Sequence, residues 1–145
     1  MKSERTRTIL VVDDEPAIRR LLELQLADDY RVVMAEDAQA AARLVREAKP
    51  DLMIVDAHMP HVSGLEFVSA VITDSSMPWV PVIFITGRSE LRSDAEKLGS
   101  ACLVKPFLAT RLVELVERVL RSQERLYATA GIGQGLLHPK ALGAP

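Results

Sequence analysis

Three carboxylates stand where buried strands should end. Asp56 closes the run Leu52-Met53-Ile54-Val55, and Asp13 and Asp14 follow Ile9-Leu10-Val11-Val12. Unpaired acids at the end of an apolar strand are costly, so bringing three together calls for a cation, a proton or a catalytic purpose. Two further groups fall at equivalent places: Thr86 ends Val82-Ile83-Phe84-Ile85, and Lys105 follows Ala101-Cys102-Leu103-Val104. Clustered carboxylates with few nitrogen or sulfur ligands suit a hard, oxygen-preferring cation. A shallow rim that keeps several waters suits Mg²⁺ better than Ca²⁺, with Mn²⁺ able to substitute. Offsetting the mutual repulsion of the acids leaves one carboxylate free to attack a phosphoryl group. Lys105 would then meet the developing negative charge, and the Thr86 hydroxyl would hydrogen-bond an equatorial oxygen. Gly87, with no side chain, would let the loop backbone come close to the incoming group. The plainer reading of the acids is a structural metal or ion-pair cluster, which leaves Lys105 and Thr86 without a purpose.

The elements that must position these groups follow from the alternation along the chain. Runs rich in Val and Ile occur at 8–13, 31–35, 52–56, 82–86 and 101–104, each followed by a segment of helical period. Pro16 suits a first helical turn, with Ile18, Leu21, Leu22 and Leu26 as one stripe. Ala41, Leu44, Val45 and Ala48 line a second helix ended before Pro50. Leu65, Val68, Val71 and Ile72 line a third after Gly64. Leu91, Ala95 and Leu98 give a weaker fourth, stopped by Gly99, and Leu112, Val113, Val116, Val119 and Leu120 a long fifth. Apolar strands need cover on both sides, and strict alternation supplies it through right-handed crossovers around a parallel sheet. The fold class is therefore α/β, a doubly wound five-stranded parallel sheet with five helices. In such sheets ligands gather beyond the carboxyl ends of the strands, where Asp13, Asp14, Asp56, Thr86 and Lys105 all fall.

Composition narrows the classes. The chain has 145 residues, is 48% apolar and carries a net charge of -2, which reads as one soluble globular domain. Acidic and basic residues are interspersed, so no direct nucleic-acid binding is expected. No apolar run approaches the roughly 20 residues of a membrane span, and Lys2-Ser3-Glu4-Arg5 lacks the apolar core of a signal peptide, so no membrane partner and a cytoplasmic location are expected. The single cysteine, Cys102, reads as a small buried hydrophobe. His61 reads as a turn residue, and neither it nor His138 has the spacing of a metal motif. Trp79, between Pro78 and Pro81, reads as packing at the entry to the fourth strand, with an exposed partner anchor as the alternative.

Val12-Asp13-Asp14-Glu15, Asp56 with Met59-Pro60 and Gly64, Thr86-Gly87, and Lys105-Pro106-Phe107 together resemble the receiver domains of two-component response regulators. The resemblance spans about residues 8–122, with 1–7 as an N-terminal extension and 123–145 as a flexible tail or linker. It implies a flavodoxin-like sheet of order 2-1-3-4-5 and phosphorylation of Asp56 by a histidine kinase or phosphotransfer protein. It also implies Mg²⁺ held by Asp14, Asp56, the backbone carbonyl of His58 and, partly through water, Asp13. The bond before Pro106 is expected to be cis, aiming Lys105 into the site. The modified form would present the surface of helix four, strand five and helix five to a downstream partner or output domain.

Departures from the pattern carry their own expectations. Receivers usually place a large residue three positions before the lysine, and here that position is Cys102. A thiol is too small to act as the same steric lever, so the signal is expected to travel through the 87–95 loop and helix four. His58 and Arg88 each lie two residues beyond a site residue. They are either solvated loop residues or a gate on the hydrolytic water that sets the lifetime of the acyl phosphate. The alternative function is a Mg²⁺-dependent phosphohydrolase with an aspartate nucleophile, which needs a second acid where this chain has His58. Arg111, Glu114, Glu117, Arg118 and Arg121 on helix five suit either charge pairing in a homodimer or a solvated face. Gly131, Gly133 and Gly135 mark the tail, which holds no helix-turn-helix, kinase or cyclase motif. The chain thus reads as a stand-alone switch or the front piece of a longer regulator.

Overall fold

Each Val- and Ile-rich run becomes a strand and each periodic segment a helix. The structure, a computed structural model, describes residues 5–130. The order is β1 (Thr8–Val12), α1 (Pro16–Leu26), β2 (Arg31–Ala35), α2 (Ala38–Ala48), β3 (Leu52–Asp56), α3 (Gly64–Thr73), β4 (Val82–Thr86), α4 (Arg92–Leu98), β5 (Ala101–Val104) and α5 (Ala109–Ala130), with a 3-10 turn at Ser89–Leu91. All pairings are parallel and the sheet order is β2-β1-β3-β4-β5, as the resemblance implied.

The period of two along the strands divides the core into two layers. Leu10, Val12, Met53, Val55 and Phe84 meet Ala41 and Val45 of α2, Phe67, Val68 and Val71 of α3, and Ala95 of α4. Ile9, Val11, Ile54, Ile83 and Ile85 meet Leu22 and Leu26 of α1 and Leu112, Leu115 and Val116 of α5. The central strands β1, β3 and β4 are buried throughout. The edge strand β2 departs from the expectation of full cover: Arg31 and Met34 are exposed and only Ala35 is buried. An edge position has a neighbour on one side only.

Leu21 also departs from its expected stripe, being 49% exposed. At 3.6 residues per turn it lies about 100° from the centre of Ile18, Leu22 and Leu26, past the edge of the buried face. Helix ends follow local chemistry. Asp37 accepts from Ala40 N at 2.8 Å to open α2, which closes at Lys49 with φ 48° immediately before Pro50. Ser63 accepts from Glu66 N at 3.1 Å to open α3. The fifth helix continues past the expected boundary at 122, so residues 123–130 are helical rather than tail. Gln123, Glu124, Arg125 and Leu126 are good helix formers, and no glycine intervenes before Gly131. Arg7 of the N-terminal segment pairs with Glu124 on this added stretch. The rest of the expected tail, 131–145 with His138, lies outside the described residues. Among the described residues no helix is long and apolar enough to cross a membrane.

Candidate functional site

The carboxyl edge of β1, β3, β4 and β5 forms an open pocket of about 430 Å³, lined by Asp14, Glu15, Asp56, His58, Pro60, Gly87, Arg88 and Lys105. Asp13 and Asp56 are buried while Asp14 is exposed. Each of the three offers a carboxylate oxygen within 4.8 Å of the others. Lys105 reaches over this trio from the end of β5, its Nζ 3.9 Å from Asp13 Oδ2 and 3.9 Å from Asp56 Oδ2. The Lys105–Pro106 bond is cis.

Each buried acid has one oxygen held by a main-chain N–H. Glu15 N–H donates to Asp13 Oδ1 at 2.9 Å, and His58 N–H donates to Asp56 Oδ1 at 2.9 Å. The Oδ2 atoms are left facing Lys105. Burial is the main force on their titration. It pushes Asp13 from 3.8 up to about 6, with the Glu15 N–H pulling back, Asp56 adding repulsion, Lys105 opposing it and Asp14 adding more. Burial likewise raises Asp56, against the His58 N–H and the Lys105 charge. Two neighbouring acids that both resist ionisation make a pocket short of positive charge, which a divalent cation would supply. The donor set fits one: oxygen ligands only, one side open to solvent.

The backbone under Asp56 is held as tightly as its side chain. A Cβ on Gly64 would stand 1.9 Å from the Asp56 carbonyl oxygen and 2.8 Å from Val55 Cγ1, so only glycine lets α3 start there. Gly64 N–H donates to Ala57 O at 3.1 Å, and Ala57 N–H to Ile85 O at 2.8 Å. Gly87 is different. No atom lies within 4 Å of where its Cβ would be, so the protein itself does not demand glycine at this position.

Thr86 is fully buried and does not line the pocket. Its hydroxyl accepts from Arg88 N at 2.9 Å and donates to Arg88 O at 3.2 Å, fastening the turn that leads into α4. The Arg88 side chain crosses the pocket mouth, with Nη2 3.4 Å from His58 Nε2. His61 has φ 68°, as a turn residue would, and Trp79 is half-buried. Cys102 is buried among apolar neighbours, and that burial raises its thiol pKa, an inert setting. Its partner across the ladder is Phe84, whose ring stands 2.8 Å from where a Cβ on Gly99 would be. The bulk at this corner thus comes from β4 rather than β5.

One contact was not legible in the sequence. Arg19, in the second turn of α1, donates through Nη1 to the Asp13 carbonyl at 2.6 Å. Its only sequence signal is a basic residue on the pocket side of a helix that otherwise buries leucines.

Comparisons with known proteins point to one family. A family model described as response regulator receiver domain matches residues 9–117. The chain is 32% identical over 119 residues to the phosphate regulon transcriptional regulatory protein PhoB of Escherichia coli, covering 79% of this chain and 52% of that protein. It is 32% identical over 124 residues to a histidine kinase of Formosa agariphila, covering 83% of this chain and 9% of the kinase. The chain thus spans about half the length of the regulator and a small part of the kinase. Among solved structures it is similar to the chemotaxis response regulator CheY4 of Vibrio cholerae, with TM-score 0.72, 31% identity, and coverage of 79% of this chain and 99% of that one. It is also similar to the response regulator TrrA of Thermotoga maritima in complex with Mg²⁺-BeF, with TM-score 0.71, 34% identity, and coverage of 78% and 98%.

Proposed function

Starting from a chain that belongs to the response regulator receiver domain family, we propose that Asp56 is its phosphoacceptor and that Oδ2 is the attacking atom. The observation that carries this reading is the Lys105 ammonium, 3.9 Å from that oxygen and from Asp13 Oδ2, over a pocket open to a donor. The donor is the phosphohistidine of a histidine kinase or phosphotransfer protein. Its P–N bond breaks as the Asp56 O–P bond forms, and Oδ1 stays on the His58 N–H. Lys105 meets the charge on the transferred group. Asp13, Asp14 and Asp56, with the His58 carbonyl, would hold Mg²⁺, or Mn²⁺ in its place. Bound there, the ion would neutralise the acids and the phosphoryl oxygens. TrrA, solved with Mg²⁺-BeF, supports that choice of ion. The phosphohydrolase alternative lacks its general acid, because His58 stands two residues after Asp56.

The family acts as a phosphorylation switch, and here the coupling runs through Thr86. Drawing its hydroxyl toward a phosphoryl group would release both main-chain bonds to Arg88, the residue just before the 3-10 turn and α4. Cys102 and Pro106 flank this corner without acting as levers. The surface of α4, β5 and α5 then changes for a downstream partner or an output domain, as PhoB's description as a transcriptional regulator suggests. The exposed charges Arg111, Glu114, Glu117, Arg118 and Arg121 suit a homodimer contact on that side. We place the chain in the cytoplasm with the kinase's phosphohistidine, with no direct contact to membrane or nucleic acid.

Incubation with acetyl phosphate tests the reading. It should label the protein stoichiometrically, only with Mg²⁺ or Mn²⁺, and Asp56→Asn should take up none. Uptake by Asp56→Asn, or turnover of a generic phosphate ester, overturns it.

A further inference from the structure

The turn that carries Asp13 and Asp14 is tied at two points besides the Asp13 carbonyl. Asp13 N–H donates to Ala35 O at 3.2 Å in the ladder with β2, and Asp13 Oδ1 accepts from Glu15 N at 2.9 Å. The remaining group, the Asp13 carbonyl, has left the strand pairing, since β1 ends at Val12. It faces Arg19, which reaches back over the β1–α1 turn to donate at 2.6 Å. Arg19 is itself anchored, its N–H bonded to Glu15 O at 3.2 Å. It is half-buried and forms no ion pair with a carboxylate among the described residues. Arg20, one position on, behaves in the opposite way: it is exposed and pairs with Glu23 at 2.5 Å.

The geometry points to Arg19 as a positioning residue for the cation site, fixing the Asp13–Asp14 peptide so that both carboxylates are presented to one ion. This rests on the reading of Asp13, Asp14 and Asp56 as the Mg²⁺ ligands. Arg19 is not among the charges that shift Asp13. Asp56, Lys105 and Asp14 are the charges that act on Asp13. What Arg19 supplies is orientation, since a charged donor on a main-chain oxygen is among the stronger hydrogen bonds. Without it the turn pivots about its two remaining ties. Asp14, exposed and held by no side-chain bond, loses its direction.

Calorimetric titration of the metal-free chain with MgCl₂ tests the assignment, using Arg19→Met, Arg19→Lys and Arg20→Met. Arg19→Met should weaken Mg²⁺ three- to tenfold and slow acetyl phosphate labelling at low Mg²⁺, with recovery at saturating Mg²⁺. Arg19→Lys keeps a donor and should recover most of the affinity. Arg20→Met removes the same charge from the same helix and should bind as the unmodified chain does. If Arg19→Met does not fold, Arg19→Leu, which also has no donor, takes its place with the same expectation. Equal Mg²⁺ affinity in the Arg19 and Arg20 variants overturns the assignment, as does a lower melting temperature with unchanged affinity. An unmodified chain that binds no Mg²⁺ defeats the underlying reading instead.

Discussion

The two helices that leave the site are built to different standards. α3 starts on a glycine pressed against the Asp56 carbonyl, is capped by Ser63, and buries Phe67, Val68 and Val71. α4 has seven residues, no side-chain cap and one buried residue, Ala95. The link between Thr86 and α4 is one hydroxyl that accepts a hydrogen bond from Arg88 N and donates one to Arg88 O. A phosphoacceptor needs a fixed nucleophile, whereas a switch needs an element whose alternative position costs little. The molecule meets the first need on β3 and α3 and the second on β4 and α4.

The strongest way to break that contrast is to add one methyl group to each side. Gly64→Ala should lower stability by about 3 kcal/mol or more, because backbone atoms must move. Gly87→Ala should change it by less than about 0.5 kcal/mol, its Cβ meeting open space, and show its effect in the labelling rate instead. Denaturant unfolding measures both. Equal losses would mean the two loops are equally packed.

The next effect comes from the acids. Asp13 is raised from 3.8 to about 6 in the folded chain. Its contribution to stability is therefore fully present below pH 3.8 and lost as pH rises through about 6. The part of the metal-free protein's stability that Asp13 carries should fall across that window by at most about 3 kcal/mol. The raised Asp56 works in the same direction. Mg²⁺ should remove most of the fall, since an ion then does what the protons did. Asp13→Asn should flatten it without metal. Metal-free stability that rises from pH 4 to pH 6 in the unmodified chain, as strongly as in Asp13→Asn, contradicts the assignment.

A smaller effect should appear in amide exchange. With Mg²⁺ and a beryllofluoride phosphoryl mimic, protection across 87–98 should change several-fold while 64–73 stays as it was. Unchanged protection across 87–98 rules out the route through α4.

Fold and site were readable in the sequence to different depths. Five strands with apolar runs and five helices with one apolar face follow from periods of two and 3.6, and the sheet order followed from the resemblance. The acids, Thr86 and Lys105 fall at strand ends, so their convergence also follows. What did not show was anything decided by contact across the sequence. Leu21 looked like its neighbours on α1 until the sheet fixed which arc was buried. Thr86 looked like a pocket-facing hydroxyl, yet it is turned onto the Arg88 main chain. Arg19 looked like Arg20, and only the turn above it distinguishes them. The expected domain boundary at 122 fell inside α5, because a change in composition at 123 is not a helix stop.

The smallest expected effect lies where the two halves meet. Arg88 belongs to the pliable loop and His58 to the rigid one, and their side chains touch across the pocket mouth at 3.4 Å. If they only sit in solvent, the lifetime of phosphorylated Asp56 is indifferent to them. If they close the mouth, water reaches the acyl phosphate less often while they stay paired. Arg88→Ala should then shorten the half-life several-fold, and His58→Ala should shift it the same way. Because one contact serves both residues, the double variant should hydrolyse no faster than either single one. Half-lives read after removal of excess acetyl phosphate decide the matter. Four equal values return both residues to the solvated class, and fully additive effects show that each acts alone rather than across the gap between the loops.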